Sequence, residues 1–266
     1  MTLPRTIAIL QQLDDDPRYR GSIHDAEIAR ARGFPGALVP GAFLYGHISR
    51  VAVQEWGADW IARGAMGVKF RRPVYDGDRL LLSAAAVDGG TGRAAVEIER
   101  DGGEVVATGW IAPPEDRPPP VASLDRQSIN ADGVPERLAV DAGGMHVGMT
   151  FASVPRPLLA GEIEASARAF AETETLYDEL GVAHSGCLMR IVMSDSYTPF
   201  RFPAAVILAG VEAWHFMPVR KGAMIETRGR VVAAEERAGR YSFTAEECLL
   251  ADGAMAARFL RRTVYA

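Results

Sequence analysis

The apolar residues of this chain recur with two different spacings. In GAFLYGHISRVAVQE, Gly41 to Glu55, the residues Leu44, Ile48 and Val51 fall at helical spacing, with Tyr45 and Ala52 beside them. That stripe predicts a helix too apolar for a surface position, one that lies against a sheet. Leu80 to Val87, Ala94 to Arg100 and Val105 to Ile111 instead carry β-branched residues with period-two stretches and predict strands. The succession then returns. Gly186 to Tyr197 predicts a second central helix, with strands at Ala205 to Trp214, Ala223 to Ala233, Tyr241 to Leu250 and Ala254 to Tyr265. Leu3 to Leu13 fits a short amphipathic helix or a first strand, broken by Asp14-Asp15-Asp16-Pro17. His24 to Arg32 predicts one or two helical turns ending at Gly33, Trp56 to Gly67 reads as a connection, and Glu164 to Phe170 predicts a further helix.

The return is a repeat. VKFRRPVYDGDRLLLSAAAV (Val68 to Val87) aligns with AWHFMPVRKGAMIETRGRVV (Ala213 to Val232) at an offset of 145 residues. Both have an aromatic residue ahead of a proline, then Pro-Val with glycine three residues on: Pro73, Val74 and Gly77, then Pro218, Val219 and Gly222. The same offset carries Gly41 to Gly186. Later turns correspond with small gaps, Gly92-Arg93 with Gly239-Arg240 and Asp101-Gly102 with Asp252-Gly253, the second pair being good hairpin chemistry. The chain therefore reads as a duplicated α+β unit. Residues 1–112 form the N-terminal repeat and residues 151–266 the C-terminal one. Residues 113–150 form a Pro- and Gly-rich linker, stiffened by Pro113, Pro114 and Pro118 to Pro120.

Composition narrows the function. A net charge of -5 over 266 residues disfavours a general nucleic-acid binder, which would carry a basic stripe. No apolar run approaches the roughly 20 residues of a membrane span, and the start of the chain turns acidic too soon for a signal peptide. Cys187 and Cys248 lack metal-ligand spacing and read as buried thiols of a reducing compartment, so a cytoplasmic protein is expected. There is no GxSxG elbow, Walker loop, HExxH or paired CxxC. Gly89-Gly90-Thr91-Gly92 lies between two strands and reads as a hairpin loop, not a phosphate cradle.

The chemistry concentrates in SIHDAEIARARGFPGALVPGAFLYGHIS, Ser22 to Ser49. His24 suits general acid–base work near neutral pH. Asp25 can orient His24 or hold water, or it caps the helical turn that follows. Gly41 and Ala42 open the central helix, where free N–H groups and the positive dipole end polarise a carbonyl oxygen. Tyr45, one turn on, lines an acyl tunnel or packs in the core. His184 precedes the second helix at the position equivalent to Val39, facing a site or serving as a buried or capping group. His47 and His215 read as structural.

These residues resemble the MaoC-like acyl dehydratases, the type 2 enoyl-CoA hydratase branch of the hotdog superfamily. The resemblance is carried by IHDAEIARARGFPGALVPGAFLYGHIS followed by VKFRRPVYDGD, with HSGCLMRIVMSDS and WHFMPVRKG as a degenerate second repeat. It implies a double-hotdog fold, each repeat a long central helix wrapped by an antiparallel β-sheet. It implies a hydratase or dehydratase acting on an acyl thioester, carried on CoA or acyl carrier protein, with no metal or redox cofactor. A homodimer is compatible with it. In the characterised hydratases an Asp-x-Asn-Pro-x-His motif holds and activates water. Here His24 fits the histidine, but the aspartate, asparagine and proline positions are Tyr19, Gly21 and Ser22. Tyr19 stands where the aspartate would be, as a hydroxyl donor in its place. A hotdog thioesterase and a non-catalytic acyl-ligand-binding protein are the alternatives.

Overall fold

In the computed structural model, residues 3–87, 92–120, 138–141, 143–202 and 205–265 are described. Part of the linker and the Gly89-Gly90-Thr91 loop lie outside them. The N-terminal half contains β1 (Arg5–Leu10), α1 (Ala26–Ala31), α2 (Gly41–Arg63), β2 (Ala65–Phe70), β3 (Arg79–Ala86), β4 (Ala94–Arg100) and β5 (Glu104–Ala112). Next come β6 (Leu138–Ala139), β7 (Thr150–Ala152), β8 (Arg156–Pro157), α3 (Ala160–Ala169), α4 (Leu176–Leu180), α5 (Ser185–Tyr197) and β9 (Phe200–Arg201). The chain finishes with β10 (Ile207–His215), β11 (Met224–Arg237), β12 (Arg240–Ala251) and β13 (Ala254–Val264). Leu3 to Leu13, ambiguous in the sequence, contributes a strand, β1.

Apart from β6 and β9, which pair in parallel with each other, the strands form one antiparallel sheet in the order β1-β3-β4-β5-β2-β10-β13-β12-β11-β7, with β8 on β11. This order is nearly a palindrome. Each half contributes the same succession, and the halves join where β2 pairs with β10. In that pairing Gly67 lies opposite Glu212, the residue 145 positions later, so the pseudo-twofold axis falls on equivalent residues. The turns repeat too. Val39 N–H donates to the Val74 carbonyl at 2.8 Å, and Ala183 N–H to the Val219 carbonyl at 2.9 Å.

Alternation along the strands explains the wrapping. Leu80, Leu82 and Ala84 of β3 and Ala94, Val96 and Ile98 of β4 are buried, while their neighbours face outward. The buried faces close on α2, which has buried residues on every side from Ala42 to Ser49 and again at Val51 to Val53. The structure corrects one boundary. Trp56 to Arg63 is not a connection but a continuation of α2 beyond Gly57, whose φ of 61° kinks the helix. Trp60 in that continuation is fully buried.

The two central helices meet around Phe170. An added Cβ at Gly46 would lie 2.9 Å from the Phe170 ring, and one at Gly186 2.5 Å from it, so glycine is what lets both helices close on this ring. In the C-terminal half, Arg261 and Glu247 form a buried ion pair, with Arg261 Nε donating to Glu247 Oε2 at 2.9 Å. Both cysteines are free and buried. Among the described residues, no helix is long and apolar enough to cross a membrane.

Candidate active site

His24 owes its position to a short stack of backbone hydrogen bonds. Leu38 N–H donates to the Ile23 carbonyl at 3.0 Å, Val39 N–H to Val74 at 2.8 Å, and Asp76 N–H to Ala37 at 3.0 Å. Residues 37–39 are thereby laid along the turn after β2, and the Leu38 carbonyl faces the imidazole. His24 Nδ1 lies 2.7 Å from that carbonyl oxygen. A carbonyl only accepts, so Nδ1 carries the proton and Nε2 keeps its lone pair. Desolvation pulls the His24 pKa below its ordinary value, opposed by the Leu38 carbonyl and the carboxylates of Asp16 and Asp14. The site thus holds a neutral imidazole with a basic Nε2.

His24 and Gly41 line one cavity of about 220 Å³. Pro40 caps α2 without a side-chain hydrogen bond, so the helix start presents backbone N–H groups that no side chain of the cap occupies. Ile23, Leu44 and Phe70 supply apolar wall from the N-terminal half, and Met193 and Leu208 supply it from the C-terminal half. The cavity is therefore built at the seam between the repeats. Arg71 and Arg72 complete it. Arg71 Nε donates to Thr108 Oγ1 at 3.3 Å, and Arg72 pairs with Glu104 at 3.3 Å.

The other sequence candidates fall elsewhere. Asp25 caps α1: its Oδ1 accepts from Glu27 N–H at 3.0 Å, and it is absent from the cavity wall. Ala42 is buried behind Gly41, off the wall. Tyr45 is fully buried, with its hydroxyl 2.8 Å from Ser185 Oγ, which is 2.9 Å from His215 Nε2. It belongs to the interface between the central helices and lines no tunnel at this cavity. His184 is 1 % exposed. Its Nδ1 accepts from Gly186 N–H at 2.9 Å and its Nε2–H donates to Glu172 at 3.0 Å. It caps α5 as Pro40 caps α2, so its structural counterpart is Pro40 and not Val39.

Tyr19 does approach His24, with ring centroids 5.2 Å apart. Its hydroxyl, however, donates to Asp14 Oδ1 at 2.6 Å. Arg190 of α5 holds Asp14 at 3.2 Å and Asp16 at 2.8 Å. Asp14, Asp16 and Arg190 thus fix the segment that carries Tyr19 against His24. The sequence reading missed this role because the partners are about 175 residues apart.

A larger cleft of about 840 Å³ lies between α3, α5 and the Asp14–Arg18 segment. Its size does not make it the better site. Most of its charges are spent on one another: Arg156 with Glu162, Arg18 with Asp16, Arg190 with Asp14 and Asp16. Glu162 also fills the N-terminus of α3, accepting from Leu159 N–H at 3.1 Å. No histidine lines it.

Solved structures place this architecture. A protein named as a MaoC domain dehydratase from Chloroflexus aurantiacus matches all of this chain and 95 % of its own, with a TM-score of 0.65 and 14 % identity. A conserved hypothetical protein from Mycobacterium tuberculosis, described as having a double hotdog fold, matches all of this chain and 96 % of its own, with a TM-score of 0.63 and 15 % identity. The chain is a double hotdog. The dehydratase domain of a third protein, from Mycobacterium tuberculosis and solved with C12:1-CoA, matches 98 % of this chain and 93 % of its own, with a TM-score of 0.50 and 14 % identity. Thioesterases share the fold as well. No family model matches the sequence, and no curated protein does. In this double hotdog the candidate cavity lies at the N-terminus of the first repeat's central helix and is walled in part by the second repeat.

Proposed function

We propose that this double hotdog is a hydratase or dehydratase of acyl thioesters, of the 2-enoyl-CoA or 3-hydroxyacyl-CoA type. One observation carries the reading: a neutral His24 with a free Nε2 and the open N-terminus of α2 share one largely apolar cavity. The likeness in fold to a MaoC domain dehydratase, and to a dehydratase domain solved with C12:1-CoA, supports it.

The chemistry follows from those two groups. A 2-enoyl thioester placed with its carbonyl oxygen at Gly41 N–H has its conjugated carbons activated toward addition. His24 Nε2 takes a proton from water as the oxygen bonds to Cβ, and the electron pair moves onto the thioester oxygen as an enolate. The imidazolium then returns its proton to Cα, and dehydration runs the same steps backward. The helix dipole favours the developing negative charge. Arg71 and Arg72 offer positive charge to the phosphates of a CoA or carrier handle.

The test is a panel of 2-enoyl-CoA thioesters, following enoyl absorbance and free thiol together, beside His24→Ala. Loss of the enoyl signal without thiol, abolished in the variant, is the expected result. Free thiol instead would make the protein a thioesterase, and neither signal would leave an acyl-binding protein without turnover.

A further inference from the structure

The imidazole of His24 is held at two places. The Leu38 carbonyl fixes Nδ1, and that single hydrogen bond leaves the ring free to pivot about it. The Tyr19 ring removes the freedom, packed against the imidazole at an interplanar angle of 58°. Where Nε2 points therefore depends on where Tyr19 sits.

Tyr19 sits where α5 puts it. Arg190 Nη2 donates to Asp16 Oδ2 at 2.8 Å and to Asp14 Oδ2 at 3.2 Å. Asp16 caps the short helical turn Pro17–Tyr19, its Oδ1 accepting from Arg18 N–H at 2.9 Å, and Asp14 takes the Tyr19 hydroxyl. From Tyr19 the bonds run on to the base. Ser22 Oγ donates to the Tyr19 carbonyl at 2.7 Å and accepts from His24 N–H at 3.1 Å. A chain of hydrogen bonds thus leads from a helix of the second repeat to His24. Arg190 makes a firm anchor for it, with a side chain 12 % exposed and a guanidinium 5.6 Å from the centre of the Phe43 ring. It stands 145 positions after Tyr45, one turn past Gly186 as Tyr45 is past Gly41. Met193, on the next turn of the same helix, lines the His24 cavity.

We infer that Arg190 is a positioning residue for His24: through Asp16, Asp14 and Tyr19 it aims Nε2 at the bound acyl chain. The second repeat then does more than wall the cavity, because it sets the rate of the reaction in the first. The effect on turnover rests on the acyl-thioester reading, whereas the coupling itself is readable on the histidine. A misplacement of about 1 Å costs a reaction about 100-fold. Arg190 is absent from the cavity wall, so its loss falls on kcat and leaves KM. The charges add a second signature. His24 feels Asp16 and Asp14 from its own segment and faces Arg71 and Arg72 across the cavity. Removing Arg190 leaves the two carboxylates with less opposing charge and loosens the segment that covers the imidazole. Both changes favour the imidazolium, so His24 titrates at higher pH.

The experiment compares Arg190→Gln, Arg190→Lys and Tyr19→Phe with the wild-type full-length protein. Steady-state kinetics with 2-hexenoyl-CoA gives kcat, KM and the pH profile. NMR of protein labelled with 15N-histidine gives the tautomer and titration midpoint of His24, assigned by its loss in His24→Gln. Arg190→Gln is expected to lower kcat about 10- to 100-fold at nearly unchanged KM, to raise the His24 midpoint in both measurements and to mix its tautomers. Arg190→Lys keeps the charge without the guanidinium fork and recovers part of the loss. Tyr19→Phe keeps the ring without its anchor and moves kcat in the same direction by less. A folded Arg190→Gln protein with wild-type kcat, pH profile and His24 spectrum overturns the inference, even if its thermal midpoint has dropped. A loss confined to KM overturns it too. If Arg190→Gln does not fold, wild-type values in both Arg190→Lys and Tyr19→Phe overturn it, and the shifts described uphold it. If the wild-type protein hydrates nothing, the hydratase reading falls and NMR alone decides: a shifted His24 in Arg190→Gln upholds the coupling, and an unshifted one overturns it.

Discussion

Gly41→Ala perturbs the proposed site by a single methyl group. The new Cβ would sit 3.0 Å from Leu208 Cδ2, and 3.1 and 3.3 Å from two Phe70 ring atoms. These are side-chain atoms of the cavity wall, so they give way by moving into the cavity and not by unfolding the sheet. Alanine is also the better helix former, which offsets part of the strain at the first turn of α2. A methyl group's worth of misfit in an apolar pocket changes discrimination by about 1–3 kcal/mol, a factor of roughly 10–200. The variant is therefore expected to keep its thermal midpoint within a few degrees while binding of an unreactive thioether analogue of 2-enoyl-CoA weakens about tenfold or more. Titration calorimetry beside a thermal melt reads both quantities. Wild-type affinity in a variant of wild-type stability would refute the reasoning, because no acyl group could then be passing Gly41.

Other expectations follow from the same contacts. With His24 acting as a base whose pKa is pulled below its ordinary value by desolvation, kcat/KM for a 2-enoyl-CoA should rise with pH to a plateau, with its half-maximum below pH 6.5, which a pH–rate profile checks. Burial pulls His47 and His215 down to about 4 each, so the stability they contribute is complete above pH 6.5 and falls as pH drops toward 4; urea midpoints at pH 7 and pH 5 should differ in that direction. Glu247→Gln leaves Arg261 as an unpaired buried charge and should cost roughly 3–5 kcal/mol in urea unfolding, with much of the loss recovered by a Glu247→Leu/Arg261→Met pair. Asp25→Ala removes the α1 cap and should cost about 1 kcal/mol, measured the same way.

The chain's local patterns carried much of this architecture in plain view. Period-two runs marked seven strands, and the Pro-Val-x-x-Gly turns marked the duplication, because both signals sit within a few residues of one another. The end of α2 was hidden for an equally local reason: Gly57 interrupts the helical pattern, and only the packing of Trp60 and Ile61 against the sheet shows that the helix resumes. Tyr45 was ambiguous because α2 is apolar on all sides, so sequence spacing cannot say which face meets a ligand. The contribution of Asp14 and Arg190 was invisible for a different reason, since their contact depends on the fold bringing the two repeats together. For His184, at a helix start, the sequence left a site-facing role and a capping role open, and its contacts with Gly186 and Glu172 are those of a cap.

The account turns on one cavity holding both the base and the carbonyl-binding helix start. A crystal structure of the protein with a thioether analogue of 2-hexenoyl-CoA tests this most directly. The prediction is a carbonyl oxygen within hydrogen-bond distance of Gly41 N–H, with the Cα–Cβ bond facing His24 Nε2 and the acyl tail against Leu44, Phe70 and Met193. An analogue bound instead in the charged cleft between α3 and α5, with the His24 cavity closed by its own side chains, would contradict it.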